Sequence, residues 1–230
     1  MRIGILTQPL RDNYGGVLQN WALQRILKDM GHEPITIDIQ PHPEIWRFVF
    51  STIKSSVLFF IPSRKRSFWK WSYHPNPLFS DFVKKQITKT HICKHYSMDL
   101  VKEYALEALV VGSDQTWRAK YNRGRLFDMF LRFARDFTGK KIAYAASFGV
   151  DNWEYSKKQT AICTSLLQQF NAISVRETSG VTLCKEYLRL NAIAVLDPTL
   201  LIEREVYENL CVNIPLNKEK FLVAYVLDHR

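Results

Sequence analysis

The sequence predicts an α/β protein built on a doubly wound parallel sheet. Two observations carry this. Short apolar runs alternate with helical patterns along most of the chain, as in repeated βα units. Most of the runs also end in polar turns rich in Gly, Ser, Asp or Arg. The proportions permit such a fold: 230 residues, 47% hydrophobic, 23% charged, with nine Gly and nine Pro, are too apolar for a disordered polymer and too poor in Gly and Pro for a fibrous one.

The elements follow in order. Ile3 to Thr7 reads as a first strand, and Val17 to Met30 as a helix with Leu18, Ala22, Ile26 and Met30 on one stripe and Leu23 and Leu27 beside it. Gly31 supplies its stop by taking the left-handed conformation. Further strands are predicted at Ile35 to Ile39, Leu109 to Val111, Ile142 to Ala146, Ala172 to Val175 and Ile193 to Leu196. Helices are predicted at Tyr155 to Phe170 and at Thr178 to Leu188, the second capped by Thr178 or Ser179, and a polar helix follows Asp197-Pro198.

Residues 41–97 do not fit a plain crossover. They carry Trp46, Trp69, Trp71 and the basic run Arg64-Lys65-Arg66, and read as an insertion: a helix from about Ile45 to Phe60, a basic loop, and a short helix from Leu78 to Ile87. The domain is expected to span 1–211, followed by a linker at 212–219. Phe221 to Leu227 then reads as a buried strand without partners of its own, so 220–230 are expected to open a second, truncated domain.

Lys and Arg exceed Asp and Glu by 32 to 22, a charge of +10 that favours anionic partners without naming one. Cys93, Cys163, Cys184 and Cys211 are widely spaced, which argues for a reduced, cytoplasmic setting and against a structural zinc. Met1-Arg2 leads directly into a short apolar run ended by Thr7-Gln8, which is no secretory signal. Ile45 to Ile61 is broken by Arg47 and Lys54 and falls short of the ~20 apolar residues a membrane span needs. The basic and aromatic insertion is simplest as a solvated loop whose rings pack on the domain. Peripheral docking on anionic lipid at the inner face of the membrane is the second reading, and no nucleic-acid partner is expected.

Chemistry is expected at the carboxyl ends of the strands, near the point where strand order reverses. The turns gathering there are 7–16, 112–117, 146–149, 174–177 and 197–199. Asn13, Gly15 and Gly16 open the first helix, where paired glycines let backbone N–H groups approach an anion or merely make a tight turn. Asp38 ends the second strand where a ribose-binding acid would sit, but the loop lacks G-x-G-x-x-G spacing. Arg176 can clamp a phosphate or carboxylate with two parallel bonds, or pair with Glu177. Asp114 can move a proton or cap a turn. The six histidines are scattered, and His91 and His95 sit in an extended segment, so no metal is expected.

Five segments together resemble the polysaccharide pyruvyl transferase family: NYGGVLQNWALQRILKDMGH, LVVGSDQTWR, KIAYAASFG, ISVRETSG and VLDPTLL, in the family's order. The resemblance implies a Rossmann-like N-terminal half of a GT-B-like two-domain enzyme. It implies transfer of the enolpyruvyl group of phosphoenolpyruvate, as donor substrate and without a cofactor, onto a saccharide or lipid-linked saccharide as a cyclic ketal in surface-polysaccharide synthesis. Arg176 matches the family arginine expected to contact the donor. Asn13, Gly15 and Gly16 match the first loop, and Ser113, Asp114, Gln115 and Trp117 match a second one, all expected to position donor or acceptor, with Asp114 also a candidate acid. A donor-site Arg–His pair is implied in the second domain, and His229-Arg230 is not that pair. The enzyme is therefore expected to be incomplete in this chain and inactive alone. A nucleotide-sugar transferase on the same framework and a non-catalytic basic docking domain are the alternatives. The strand tips are expected to form one electropositive lip for a small doubly acidic metabolite.

Overall fold

A computed structural model describes residues 1–10, 13–40, 77–122, 124–211 and 222. Six parallel strands form one sheet in the order β2-β1-β3-β4-β5-β6. They are β1 (Arg2–Leu6), β2 (Glu33–Thr36), β3 (Ala108–Val111), β4 (Lys140–Ala146), β5 (Ala172–Val175) and β6 (Ile193–Ala194). The helices are α1 (Tyr14–Asp29), α2 (Pro77–Gln86), α3 (Met98–Glu103), α4 (Lys157–Leu167), α5 (Thr178–Tyr187) and α6 (Arg204–Leu210). Strand order reverses between β1 and β3, so the crevice of a doubly wound sheet lies at their carboxyl ends.

Alternation along the strands divides the core. Ile3, Ile5, Ala108 and Val110 pack with Leu23 and Leu27 of α1 on one face. Leu6, Val111 and Ala143 pack on the other, with Leu100 and Val101 of α3, Cys163 and Leu167 of α4, and Leu183 and Cys184 of α5. The chain leaves β6 through a 3₁₀ turn at Pro198–Leu201 and returns to α1, where Trp21 meets Tyr207 of α6 with ring centroids 5.6 Å apart.

Every predicted strand within the described residues is present, with boundaries that agree to within three residues and coincide at Ala172–Val175. Helix α1 differs more. It starts at Tyr14, three residues early, so Gly15 and Gly16 belong to its first turn. Ala22 and Leu23 are buried as expected, but the buried face extends through Val17, Asn20, Trp21 and Gln24, whereas Met30 is 65% exposed. The extension has a polar cause. Gln24 donates to Thr36 Oγ1 (2.8 Å) and Thr88 O (2.6 Å) and accepts from Thr88 N (3.0 Å), while Thr36 Oγ1 donates to Asn20 Oδ1 (2.9 Å). Gln24 is satisfied through both its amide nitrogen and its oxygen, and Asn20 through its oxygen, so buried amides join the apolar residues expected there. Gly31 ends the helix with φ at +80°, as expected.

At α5 the cap position falls on Glu177, whose side chain makes no cap bond, rather than on Thr178 or Ser179. Helix α4 is held by a reciprocal capping box between Ser156 and Gln159. The second part of the expected insertion belongs to the domain: Phe79 and Val83 of α2 pack on Val17 and Trp21, and Lys89 and Cys93 make parallel bridges to Thr36 and Ile39. The helix expected at 45–60, the basic run at 64–66, the linker at 212–219 and, apart from the exposed Leu222, the strand at 221–227 lie outside the described residues. Among the described residues no helix is long and apolar enough to cross a membrane.

Candidate functional site

The reversal point brings the predicted side chains together. Asn13 caps α1 by accepting from Gly16 N at 3.0 Å, and its Nδ2 donates to Asp114 Oδ2 at 3.0 Å. That contact ties the turn after β1 to the turn after β3. It also explains one glycine: a Cβ on Gly16 would lie 2.5 Å from Asp114 Oδ2 and 2.7 Å from Asn13 Nδ2. Gly16 is therefore required by the approach of Asp114. Its N–H is spent on the cap rather than offered to an anion. At Gly15 the nearest contact of an added Cβ is an ordinary 3.5 Å.

Asp114 is 8% exposed. Burial raises its carboxyl pKa above the usual carboxylate range, against the opposing pull of the Gln115 N–H and the Arg176 charge; the Asp197 charge adds to the rise. Its carbonyl accepts from Ser147 N (3.3 Å), and Ser147 O accepts from Trp117 N (3.1 Å), which ladders the β3 and β4 turns together.

Arg176, at the tip of β5, reaches across this ladder. Its Nη1 donates to Ser113 O (3.2 Å) and Asp197 Oδ2 (3.4 Å), Nη2 to Ser147 Oγ (3.1 Å), and Nε to Glu177 Oε1 (3.0 Å). Asn13–Gly16 and Arg176 thus share one end of the sheet, connected through Ser113 and Asp114. The electropositive lip expected there is absent among the described residues: the cluster holds one guanidinium against Asp114, Glu177 and Asp197.

Two members of this network were not proposed as site residues from sequence, although Glu177 was expected as a pairing partner of Arg176, which it is, and Asp197 lay in an expected turn. Asp197 accepts from Ser113 Oγ (3.2 Å), Thr199 N (3.0 Å), Thr199 Oγ1 (2.7 Å), Arg176 and Gln19 Nε2, joining α1, β3, β5 and the turn after β6. Glu177 accepts from Ser147 Oγ (2.6 Å) and Arg176 through Oε1, while its Oε2 is buried without a partner. An acid just beyond the expected strand end at Leu196, ahead of Pro-Thr, was the available signal for Asp197.

Trp117 does not line the site. It is fully buried, stacked on Phe130 (centroids 4.9 Å), and its Nε1 donates to Met129 O at 3.2 Å, so it supports the 112–117 turn from below. Gln115 is half-buried and turns its Oε1 to Arg118 Nη1 at 2.9 Å. Asp38 is buried and faces Lys89 and Gln40, which removes it from any ribose-binding role. No group of three or more His, Cys, Asp or Glu able to hold a metal occurs among the described residues. A recess of about 350 Å³ between residues 132–135 and α4 shares no residue with the cluster.

The family model for polysaccharide pyruvyl transferases matches residues 13–229. The chain belongs to the polysaccharide pyruvyl transferase family. The match begins at Asn13, the cap that holds Asp114, and takes in every member of the cluster. No curated protein matches the chain.

Proposed function

We propose that this pyruvyl transferase moves the enolpyruvyl group of phosphoenolpyruvate onto two hydroxyls of a sugar as a cyclic ketal, working at the cytoplasmic face on surface-polysaccharide precursors. In the GT-B-like arrangement this reading entails, a second lobe faces these strand tips. The observation that carries it is the juxtaposition of a strand-tip guanidinium with a buried carboxyl group whose pKa that burial raises.

The reaction needs a proton at the donor's methylene carbon, which leaves C2 electrophilic. A sugar hydroxyl adds to C2 and gives up its proton. Cleavage of the C2–O bond then releases phosphate, and the second hydroxyl closes the ring, its proton leaving with the phosphate. Asp114 has the properties of the acid: burial makes it hold its proton more strongly than an exposed carboxyl. Having given up its proton, it can take back the one from the first hydroxyl.

Arg176 is the donor's anchor. Its guanidinium must pass from internal carboxylates to the donor's phosphate or carboxylate. Glu177 is the partner to be displaced, because half of its carboxylate is already unsatisfied, whereas Asp197 is fixed by contacts from several elements. Ser113 and Asn13 keep their places through backbone and cap bonds and hold the two turns in register.

The test runs the native enzyme with phosphoenolpyruvate and a saccharide acceptor in D2O. Phosphate release together with a ketal methyl group carrying one deuterium is expected, and both should fall by about 10²-fold or more in Asp114→Asn. Saturable binding of UDP-sugars without any binding of phosphoenolpyruvate would replace this reading with a nucleotide-sugar transferase.

A further inference from the structure

We infer that Tyr14 and Tyr121 form a stacking platform for the acceptor saccharide beside Asp114, an inference that rests on the pyruvyl-transfer reading. Three aromatic rings among the described residues are largely exposed: Tyr14 at 54%, Tyr121 at 57% and Tyr187 at 42%. Tyr187 stacks on Trp153 at the far end of α5, the helix that runs back from the strand tips. The other two stand at the carboxyl edge of the sheet, on the two turns that Asp114 joins.

Tyr14 follows Asn13, whose amide donates to Asp114, and Phe79 braces the tyrosine ring edge-on at 5.0 Å. Tyr121 is fixed differently. The Arg118 guanidinium lies 4.4 Å from its ring centroid and seals one face, while Arg118 itself is held by Gln115 Oε1. The turn beneath is rigid, because Asn122 Nδ2 donates to the carbonyls of Gln115, Thr116 and Arg118, and its Oδ1 accepts from Gln8 Nε2 at the tip of β1. A ring braced on one side, open on the other and mounted on an ordered turn costs little conformational entropy when it binds.

A pyranose fits such rings: its C–H faces are apolar and its hydroxyls form a polar rim. Stacked there, the sugar would bring its rim toward the carboxyl that must collect a hydroxyl proton. Truncating either ring should weaken sugar binding by about tenfold, the lower end of what a single stacking partner contributes.

Saturation-transfer NMR on the native enzyme, with methyl β-D-galactopyranoside and methyl α-D-mannopyranoside as probes and uridine as control, tests this. Saturation of the sugar C–H protons is expected in the wild type and in Tyr14→Phe and Tyr121→Phe, and strong loss in Tyr14→Ala and Tyr121→Ala, with phosphoenolpyruvate affinity unchanged in all. Equal or absent sugar saturation in wild type and alanine variants overturns the platform, as does saturation of uridine alone. A calorimetric titration with phosphoenolpyruvate runs alongside: a wild type that takes up sugar through these rings but does not bind the donor keeps the platform and sinks the pyruvyl-transfer reading.

Discussion

Asp114 is where residue chemistry and residue placement meet. Because burial raises its pKa, the folded state holds a proton that the unfolded chain has already released between the ordinary and the raised value. Stability contributed by this group is therefore fully present below the ordinary value and is lost as pH rises through the raised one. Asp114→Asn should flatten that part of the stability–pH profile, measured by urea unfolding at a series of pH values. Gly16→Ala tests the same place from the other side. Its Cβ cannot coexist with Asp114 Oδ2 at 2.5 Å, so a loss of about 1–3 kcal/mol in urea unfolding is expected, together with loss of turnover. The importance of Gly16 was legible from its position, but the reason was not: a pair of glycines at a helix start signals a close approach without saying to what. Trp117 misled for a related reason, since a tryptophan among polar loop residues looks like a ligand contact until its burial is known.

At the scale of the element, β4 carries the distortion that serves the site. Its register with β5 shifts between Ala143 and Ala146, and Ala145 within the shift takes φ +50°, in the left-handed region. Ser174 bridges the gap, accepting from Ala145 N (3.0 Å) and donating to Ala143 O (3.1 Å). Ser147, just beyond the bulge, accepts from Arg176. Ala145→Val should cost about 2 kcal/mol or more by urea unfolding, because a β-branched residue is strained at positive φ and the site is fully buried. Ala145→Gly should be neutral or stabilising, since it relieves the left-handed strain of about 1–2 kcal/mol. The sequence signals the strands clearly, since runs such as Leu109–Val111 are buried on both faces. It does not signal the bulge, nor that the buried face of α1 extends to Asn20 and Gln24. Asn20 and Gln24 look like surface residues until Thr36 and Thr88 supply their partners. The segment Leu126–Phe130 folds as a 3₁₀ turn too short to leave a period.

For the whole molecule, strand order is the decisive property, and no local pattern encodes it. The alternation of apolar runs and helices gives a parallel sheet, but only the pairing of β1 with both β2 and β3 fixes the reversal point and gathers Asn13, Ser113, Asp114 and Arg176 at one end. Net charge proved a poor guide to that end. A surplus of +10 belongs to the chain as a whole, while the described strand tips set one guanidinium among three carboxyl groups. An anionic donor must then win Arg176 from Glu177, and its affinity reports that exchange directly.

Calorimetric titration of phosphoenolpyruvate into the native enzyme and its Arg176→Lys variant measures it. Lysine keeps the charge but loses the planar fork, so saturable binding by the wild type should weaken at least about tenfold in the variant. Equal affinity in the two proteins, or no binding by the wild type, would contradict the assignment of Arg176 as the donor's anchor.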